Sequence, residues 1–166
     1  MKEIIIVSGG EFNGVVEYLR ENKPADNKLF GVDRGALRLV DNGFTLDMAI
    51  GDFDSVTAEE FERIKQGAKR IHRTIPVKDD TDTELALKVA IETYPEEKYT
   101  LLGYAGGRMD HFLANLFMVT QPRFSNIIER LSLVDEQNTL TFLKPGKHKL
   151  ASQLGFDYLS LIGIGK

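Results

Sequence analysis

An α/β fold, a parallel sheet with helices on both faces, is predicted by two features of this 166-residue sequence. Short apolar, β-branched runs alternate with segments whose apolar residues recur at helical spacing, the pattern of successive strand–helix units. Aspartates also recur just beyond those runs, at Asp33, Asp52, Asp54, Asp79, Asp80, Asp82 and Asp110. A parallel sheet gathers the carboxyl ends of its strands on one edge, and ligands of open α/β sheets bind there.

The elements follow in order. Ile4 to Val7 reads as the first strand, and Gly9-Gly10 turns the chain out of it. Val15, Tyr18 and Leu19 share one helical face that ends before Pro24. Leu29 to Val32 is the second strand, followed by a helix carrying Ala36, Leu37 and Val40 and stopped at Asn42-Gly43. Met48 to Ile50 is a short third strand, and the helix of Phe61 and Ile64 is capped near Thr57. Ile71 to Ile75 is the fourth. Thr81-Asp82-Thr83-Glu84 then has the form of a capping box and opens a helix apolar enough, through Leu85, Leu87, Val89 and Ile91, to be mostly buried. Tyr99 to Tyr104 is the fifth strand; Phe112, Leu113, Leu116 and Phe117 form the inner stripe of the next helix.

Beyond Pro122 the period changes. Strand-like runs at Leu131 to Val134, Thr139 to Leu143 and Tyr158 to Ile164 are broken by Pro145-Gly146 and Gly155. Residues 1–124 therefore read as the catalytic α/β domain, and 125–166 as a β-rich second unit. Three or four strands stopping at Gly165-Lys166 make a thin core with an open edge, so this unit reads as incomplete.

Composition narrows the chemistry. With no cysteine, disulfides, a thiolate nucleophile and a cysteine zinc site are excluded. The opening apolar run is too short for a signal peptide and no stretch approaches a membrane span, so a cytoplasmic location is expected. A net charge of −4 argues against nucleic acid as partner, because no basic stripe is present to release counterions from a phosphate backbone. The small basic cluster Lys69, Arg70, His72 and Arg73 reads as a solvated strand edge.

The converging carboxylates need a cation. Two unit charges about 4 Å apart repel by roughly 4 kcal/mol at an effective dielectric near 20. Hard oxygen donors in this number suit Mg²⁺, which bridges a few carboxylates to substrate phosphates. In Gly51-Asp52-Phe53-Asp54-Ser55, side chains two apart on an extended segment point the same way, so Asp52 and Asp54 grip one ion. An isolated Asp-x-Asp would be read instead as a cap or turn. Of the Lys78-Asp79-Asp80-Thr81-Asp82 run, Asp82 is the metal ligand, Thr81 the cap, and Asp79 or Asp80 stands behind the ligand. Ser55 either hydrogen-bonds a phosphate or caps a turn.

Gly106-Gly107-Arg108-Met109-Asp110-His111 follows the fifth strand. Its glycines let backbone N–H groups approach a phosphate, and Arg108 offers a bidentate fork to its oxygens. Neither a Walker loop nor a G-x-G-x-x-G after the first strand is present, so a P-loop NTPase and a dinucleotide oxidoreductase are unsupported.

At these residues, together with Val32-Asp33-Arg34-Gly35-Ala36, the chain resembles the thiamine pyrophosphokinase family, whose motifs occur in the same order and approximate spacing. Lys144-Pro145-Gly146-Lys147-His148 matches the entry to that family's second domain. The resemblance implies Mg²⁺-dependent transfer of a pyrophosphoryl group from ATP to thiamine, giving thiamine diphosphate and AMP. It implies a homodimer whose subunit pairs the α/β domain with a thiamine-binding β-sandwich, the active site lying between subunits. By the same resemblance Asp52, Asp54 and Asp82 hold magnesium, and Gly106, Gly107 and Arg108 handle phosphates. Asp110 helps place the substrates, and Asp33 lies near the nucleotide. Ser55, Lys78, Asp79, Thr81 and His111, in the same loops, are read as further nucleotide-binding candidates.

Two rival readings stand beside this one. A haloacid-dehalogenase-like phosphatase or phosphotransferase also uses Asp-x-Asp, but after its first strand and with a threonine two residues on. Here the pair follows the third strand and Val56 occupies that position. The other rival is a non-catalytic nucleotide-binding or sensing module.

Overall fold

The computed structural model describes residues 2–22, 26–74, 80–150 and 155–164. Six strands, β1 (Glu3–Val7), β2 (Lys28–Val32), β3 (Met48–Gly51), β4 (Ile71–Arg73), β5 (Lys98–Leu102) and β6 (Leu131–Val134), lie parallel in one sheet, and β7 (Thr139–Thr141) pairs antiparallel to β6. Helices α1 (Val15–Asn22), α2 (Arg34–Asp41), α3 (Ala58–Gly67), α4 (Asp82–Thr93) and α5 (Met109–Phe117) connect them.

The spatial order is β4-β3-β2-β1-β5-β6-β7. The chain walks outward from β1 to β4, crosses back along α4, and resumes at β5 on the other side of β1. Strand order reverses between β1 and β5, and the loops leaving those strands interlock: Gly10 N–H donates to Gly103 O at 3.0 Å and Glu11 N–H to Ala105 O at 2.6 Å. A side chain at Gly10 would run into the Gly103 and Ala105 carbonyls, so this crossing needs glycine.

Alternation along the strands builds two cores. Ile5, Val7, Leu29 and Ala49 pack against α1, α2 and α3 through Val15, Leu19, Ala36, Leu39 and Ile64. Ile4, Ile6, Phe30, Val32 and Ile50 face Ala86, Leu87 and Ala90 of α4 and Met118, Phe124 and Ile127 beyond α5. Both faces of the central strands are therefore buried, which is why they read as unbroken apolar runs. Helix α4 is less enclosed than its composition predicts: Leu87 is buried, whereas Leu85, Val89 and Ile91 are only partly so.

Three expectations are revised. The runs expected to open a β-rich second unit, Leu131 to Val134 and Thr139 to Leu143, contribute β6 and β7 to the first sheet, because β6 finds an open parallel edge on β5. Residues 156–164 form no strand: Tyr158 is 93% exposed and Ile162 83%, and no strand among the described residues pairs with this β-prone run. On α5, Leu113 and Phe117 face outward with Met109, and Asn115 is the buried residue, its Nδ2 donating to Tyr104 O at 2.8 Å. Among the described residues, no helix is long and apolar enough to cross a membrane.

Candidate active site

The acidic site grows from the ends of β2, β3 and β4. Asp33 follows β2 directly and is the residue before α2, whose first turn it starts by accepting from Ala36 N–H at 3.0 Å through its carbonyl. Its side chain makes no capping bond, unlike the usual aspartate at this position. It turns instead toward the loop after β3, where Oδ1 accepts from Phe53 N–H at 3.3 Å. Asp33 and Phe53 are the two non-glycine residues with positive φ among the described residues, at 45° and 59°. Such conformations persist where surrounding structure over-determines them, and they cluster at ligand sites.

Phe53 explains the neighbouring geometry. Its buried ring packs on Phe61 with centroids 4.9 Å apart, which anchors the loop in the α3-side core. Its left-handed backbone means that Asp52-Phe53-Asp54 is not extended. Asp52 stays half-buried, while Asp54 is exposed and donates its N–H to Asp52 Oδ1 at 3.0 Å.

Asp82 is the first residue of α4. Thr81 caps the helix, accepting from Glu84 N–H at 3.2 Å, and Glu84 Oε2 closes the box on Thr81 N–H at 2.8 Å. Thr83 is tied to the end of β1, its Oγ1 lying 2.9 Å from Ser8 Oγ. Thr74, just past β4, donates to Asp82 Oδ1 at 3.1 Å.

Asp33, Asp52 and Asp82 thereby each bring a carboxylate oxygen within 4.8 Å of the others. Burial first, and then the neighbouring charge of Asp82, push the Asp33 carboxyl up to about 7. Oxygens sharing one Mg²⁺ at ~2.1 Å stand roughly 3–4 Å apart, so small side-chain shifts bring this all-oxygen set onto one ion. The donor chemistry fits a hard divalent cation, which would take the place of the proton on Asp33.

The other anticipated residues fall elsewhere. Asp80 is drawn to Arg123, whose Nη1 donates to its Oδ1 at 2.6 Å. Arg108 forks onto Asp110 at 3.2 and 2.6 Å, both side chains exposed, and this pairing holds the Asp110 carboxyl below the usual range. Gly106, Gly107 and His111 are exposed around that pair, after β5 on the same sheet edge. Ser55 is exposed and its carbonyl accepts from Arg34. Lys78 and Asp79 lie outside the described residues. A cavity of about 180 Å³ opens beyond β5 and β6, between Glu11–Val15 and Asp135–Asn138, and none of the three clustered aspartates lines it.

The sequence puts Asp33 among the converging carboxylates but assigns the metal to Asp52, Asp54 and Asp82; in the structure Asp33, not Asp54, is the third member of the close group. Sequence reasoning did not find Arg123 and Thr74, whose partners are 43 and 8 residues away and leave no local pattern.

A parallel α/β sheet with two carboxylates just past the ends of adjacent strands and a third at the start of the helix after β4, all drawn together, defines an α/β protein with a site suited to a divalent cation. Comparison narrows the class. Residues 21–129 match the family described as thiamin pyrophosphokinase, catalytic domain. A thiamine pyrophosphokinase of Bacillus subtilis is 36% identical over 162 residues, spanning 98% of this chain and 74% of that protein. A thiamin pyrophosphokinase family protein from Enterococcus faecalis superposes with a TM-score of 0.76 at 32% identity, over 87% of this chain and 67% of that one. A crystal structure of thiamine pyrophosphokinase from Bacillus subtilis gives 0.72 at 33% identity, over 87% and 66%. The chain belongs to the thiamin pyrophosphokinase family, and is an enzyme of that family.

Proposed function

We propose that this chain transfers a pyrophosphoryl group from ATP to thiamine, yielding thiamine diphosphate and AMP, with Mg²⁺ as its cofactor. The observation that carries the reading is the convergence of Asp33, Asp52 and Asp82 within 4.8 Å in a chain of this family. These three would hold the ion, with Asp54 beside them on the β3 loop. Bound Mg²⁺ supplies a counter-charge for the triphosphate.

The chain's own groups bind and orient. Arg108 is exposed and fork-shaped; a phosphate would compete with Asp110 for it, releasing Asp110 to help place the substrates. Gly106 and Gly107 offer backbone N–H groups to phosphate, and Ser55, Thr81 and His111 are further candidates for contacting the nucleotide; for Lys78 and Asp79 the assignment rests on the sequence alone. The thiamine hydroxyl oxygen bonds to the β-phosphorus, the bond from that phosphorus to the α,β-bridging oxygen breaks, AMP leaves with the bridging oxygen, and the hydroxyl proton passes to solvent. Catalysis is chiefly positioning and charge neutralisation.

The functional unit in this reading is a cytoplasmic homodimer. Met109, Leu113 and Phe117 stand exposed four residues apart on α5, apolar surface that association of two copies would cover. The test is thiamine-dependent AMP release in the presence of Mg²⁺. ADP accumulating in step with phosphorylated thiamine would mean an ordinary kinase, and nucleotide binding without turnover would mean a sensing module.

A further inference from the structure

Arg123 sits in a short 3₁₀ turn (Pro122–Phe124) after α5, yet its contacts lie at the start of α4. Its Nη1 donates to Asp80 Oδ1 at 2.6 Å, and its Nη2 stands 3.5 Å from Glu84 Oε1. Those partners are the residues two before and two after Asp82. Gln121, two residues before Arg123, donates to the same Glu84 oxygen and accepts from Arg123 Nε at 2.7 Å. Glu84 is nearly enclosed, and its second oxygen closes the α4 capping box. The guanidinium also stacks over Phe124 at 4.8 Å, and Phe124 is fully buried, so the fork is anchored in the core.

We infer that Arg123 is a positioning residue for the acidic site, gripping the chain on both sides of Asp82 and so holding its carboxylate against those of Asp33 and Asp52. Three carboxylates brought together repel, and the α4 terminus is the one contributor that is not itself the end of a strand in the sheet. Side-chain ties must therefore resist that repulsion. Thr83 and Thr74 supply ties toward β1 and β4, and Arg123 supplies one toward the 3₁₀ turn that packs beside α4 on the same face of the sheet. A planar fork can bridge two carboxylates where a lysine ammonium serves only one well. The inference rests on Asp33, Asp52 and Asp82 being the ligands of the cation.

The test is Mn²⁺ binding to the full chain without substrates, followed by electron paramagnetic resonance of the free ion, beside the Mg²⁺ dependence of AMP release. Arg123→Lys is expected to weaken Mn²⁺ binding by about tenfold, the range seen when groups that orient metal ligands are lost. Saturating Mg²⁺ should restore its rate to within about twofold of wild type, since no group touching substrate has been removed. Asp80→Asn should shift binding in the same direction by less. Arg130→Lys is the structural control: Arg130 ties down the far end of α4 through Pro95 O and Glu97 O, and its loss should lower thermal stability without moving the metal midpoint. Wild-type Mn²⁺ affinity in Arg123→Lys overturns the inference whatever its stability, and if that variant does not fold, wild-type affinity in Asp80→Asn overturns it. Absence of Mn²⁺ binding by the wild-type chain overturns the metal site and the clamp together.

Discussion

The carboxylate of Asp33 fills the space where a side chain on Gly51 would begin: a Cβ there would stand 2.6 Å from Asp33 Cγ and closer still to Oδ1. Gly51 also has φ +148°, a backbone region that side-chain-bearing residues rarely adopt. Glycine at the end of β3 is therefore what admits the β2 carboxylate to the site.

Gly51→Ala should accordingly expel Asp33 from the cluster. A loss of about 1–3 kcal/mol in urea unfolding is expected from the strained backbone and the clash. Metal binding should fall with it. An alanine variant with wild-type stability and metal affinity would show that the close approach is unimportant.

Asp52→Asn keeps the side-chain size and the acceptor for Asp54 N–H while removing the negative charge. Thiamine-dependent AMP release should fall by a factor of about 100 or more, the scale for losing a group that organises transition-state charge. Circular dichroism should be unchanged. Near-normal turnover would remove Asp52 from the metal assignment.

The raised Asp33 carboxyl sets a pH dependence whose sign is opposite to that of a salt-bridged aspartate. Its folded value of about 7 lies above the ordinary unfolded value, so the folded state binds the proton more tightly. Its stabilising contribution is complete below the unfolded value of about 3.9 and is lost as pH rises through about 7. Metal-free protein should lose thermal stability across that window, Asp33→Asn should flatten the slope, and Mg²⁺ should restore stability most at the alkaline end. A metal-free profile that rises from pH 5 to 8 in wild type and in Asp33→Asn alike would refute this.

Two capping boxes separate stability from function. Thr57 caps α3 and Thr81 caps α4 with the same reciprocal bonds to Glu60 and Glu84. Thr57→Ala and Thr81→Ala should each cost about 1 kcal/mol. Only Thr81→Ala should raise the Mg²⁺ concentration needed for half-maximal rate, because Asp82 is the next residue. Equal Mg²⁺ requirements in both variants would count against a role for the α4 terminus in the site.

Local chemistry made much of this protein legible in advance. The order of strands and helices through residue 117 follows from apolar periodicity, and both caps from Thr57 and Thr81 with a glutamate three residues on, since these signals depend on neighbours close in sequence. The importance of Asp52 and Asp82 was legible because each follows a strand of a parallel sheet. Tertiary structure decided the rest. Leu131–Val134 joins β5 because that edge was open, while the equally β-prone 158–164 run pairs with no strand among the described residues and is irregular. Phe53, held left-handed by its buried ring, leaves Asp54 exposed and outside the three-carboxylate group. Asp33 enters the group through the gap at Gly51, and Arg123 reaches across 43 residues to Asp80. Periodicity and capping act over a few residues, whereas strand pairing and charge clustering depend on which distant segments the packed core brings within bonding range.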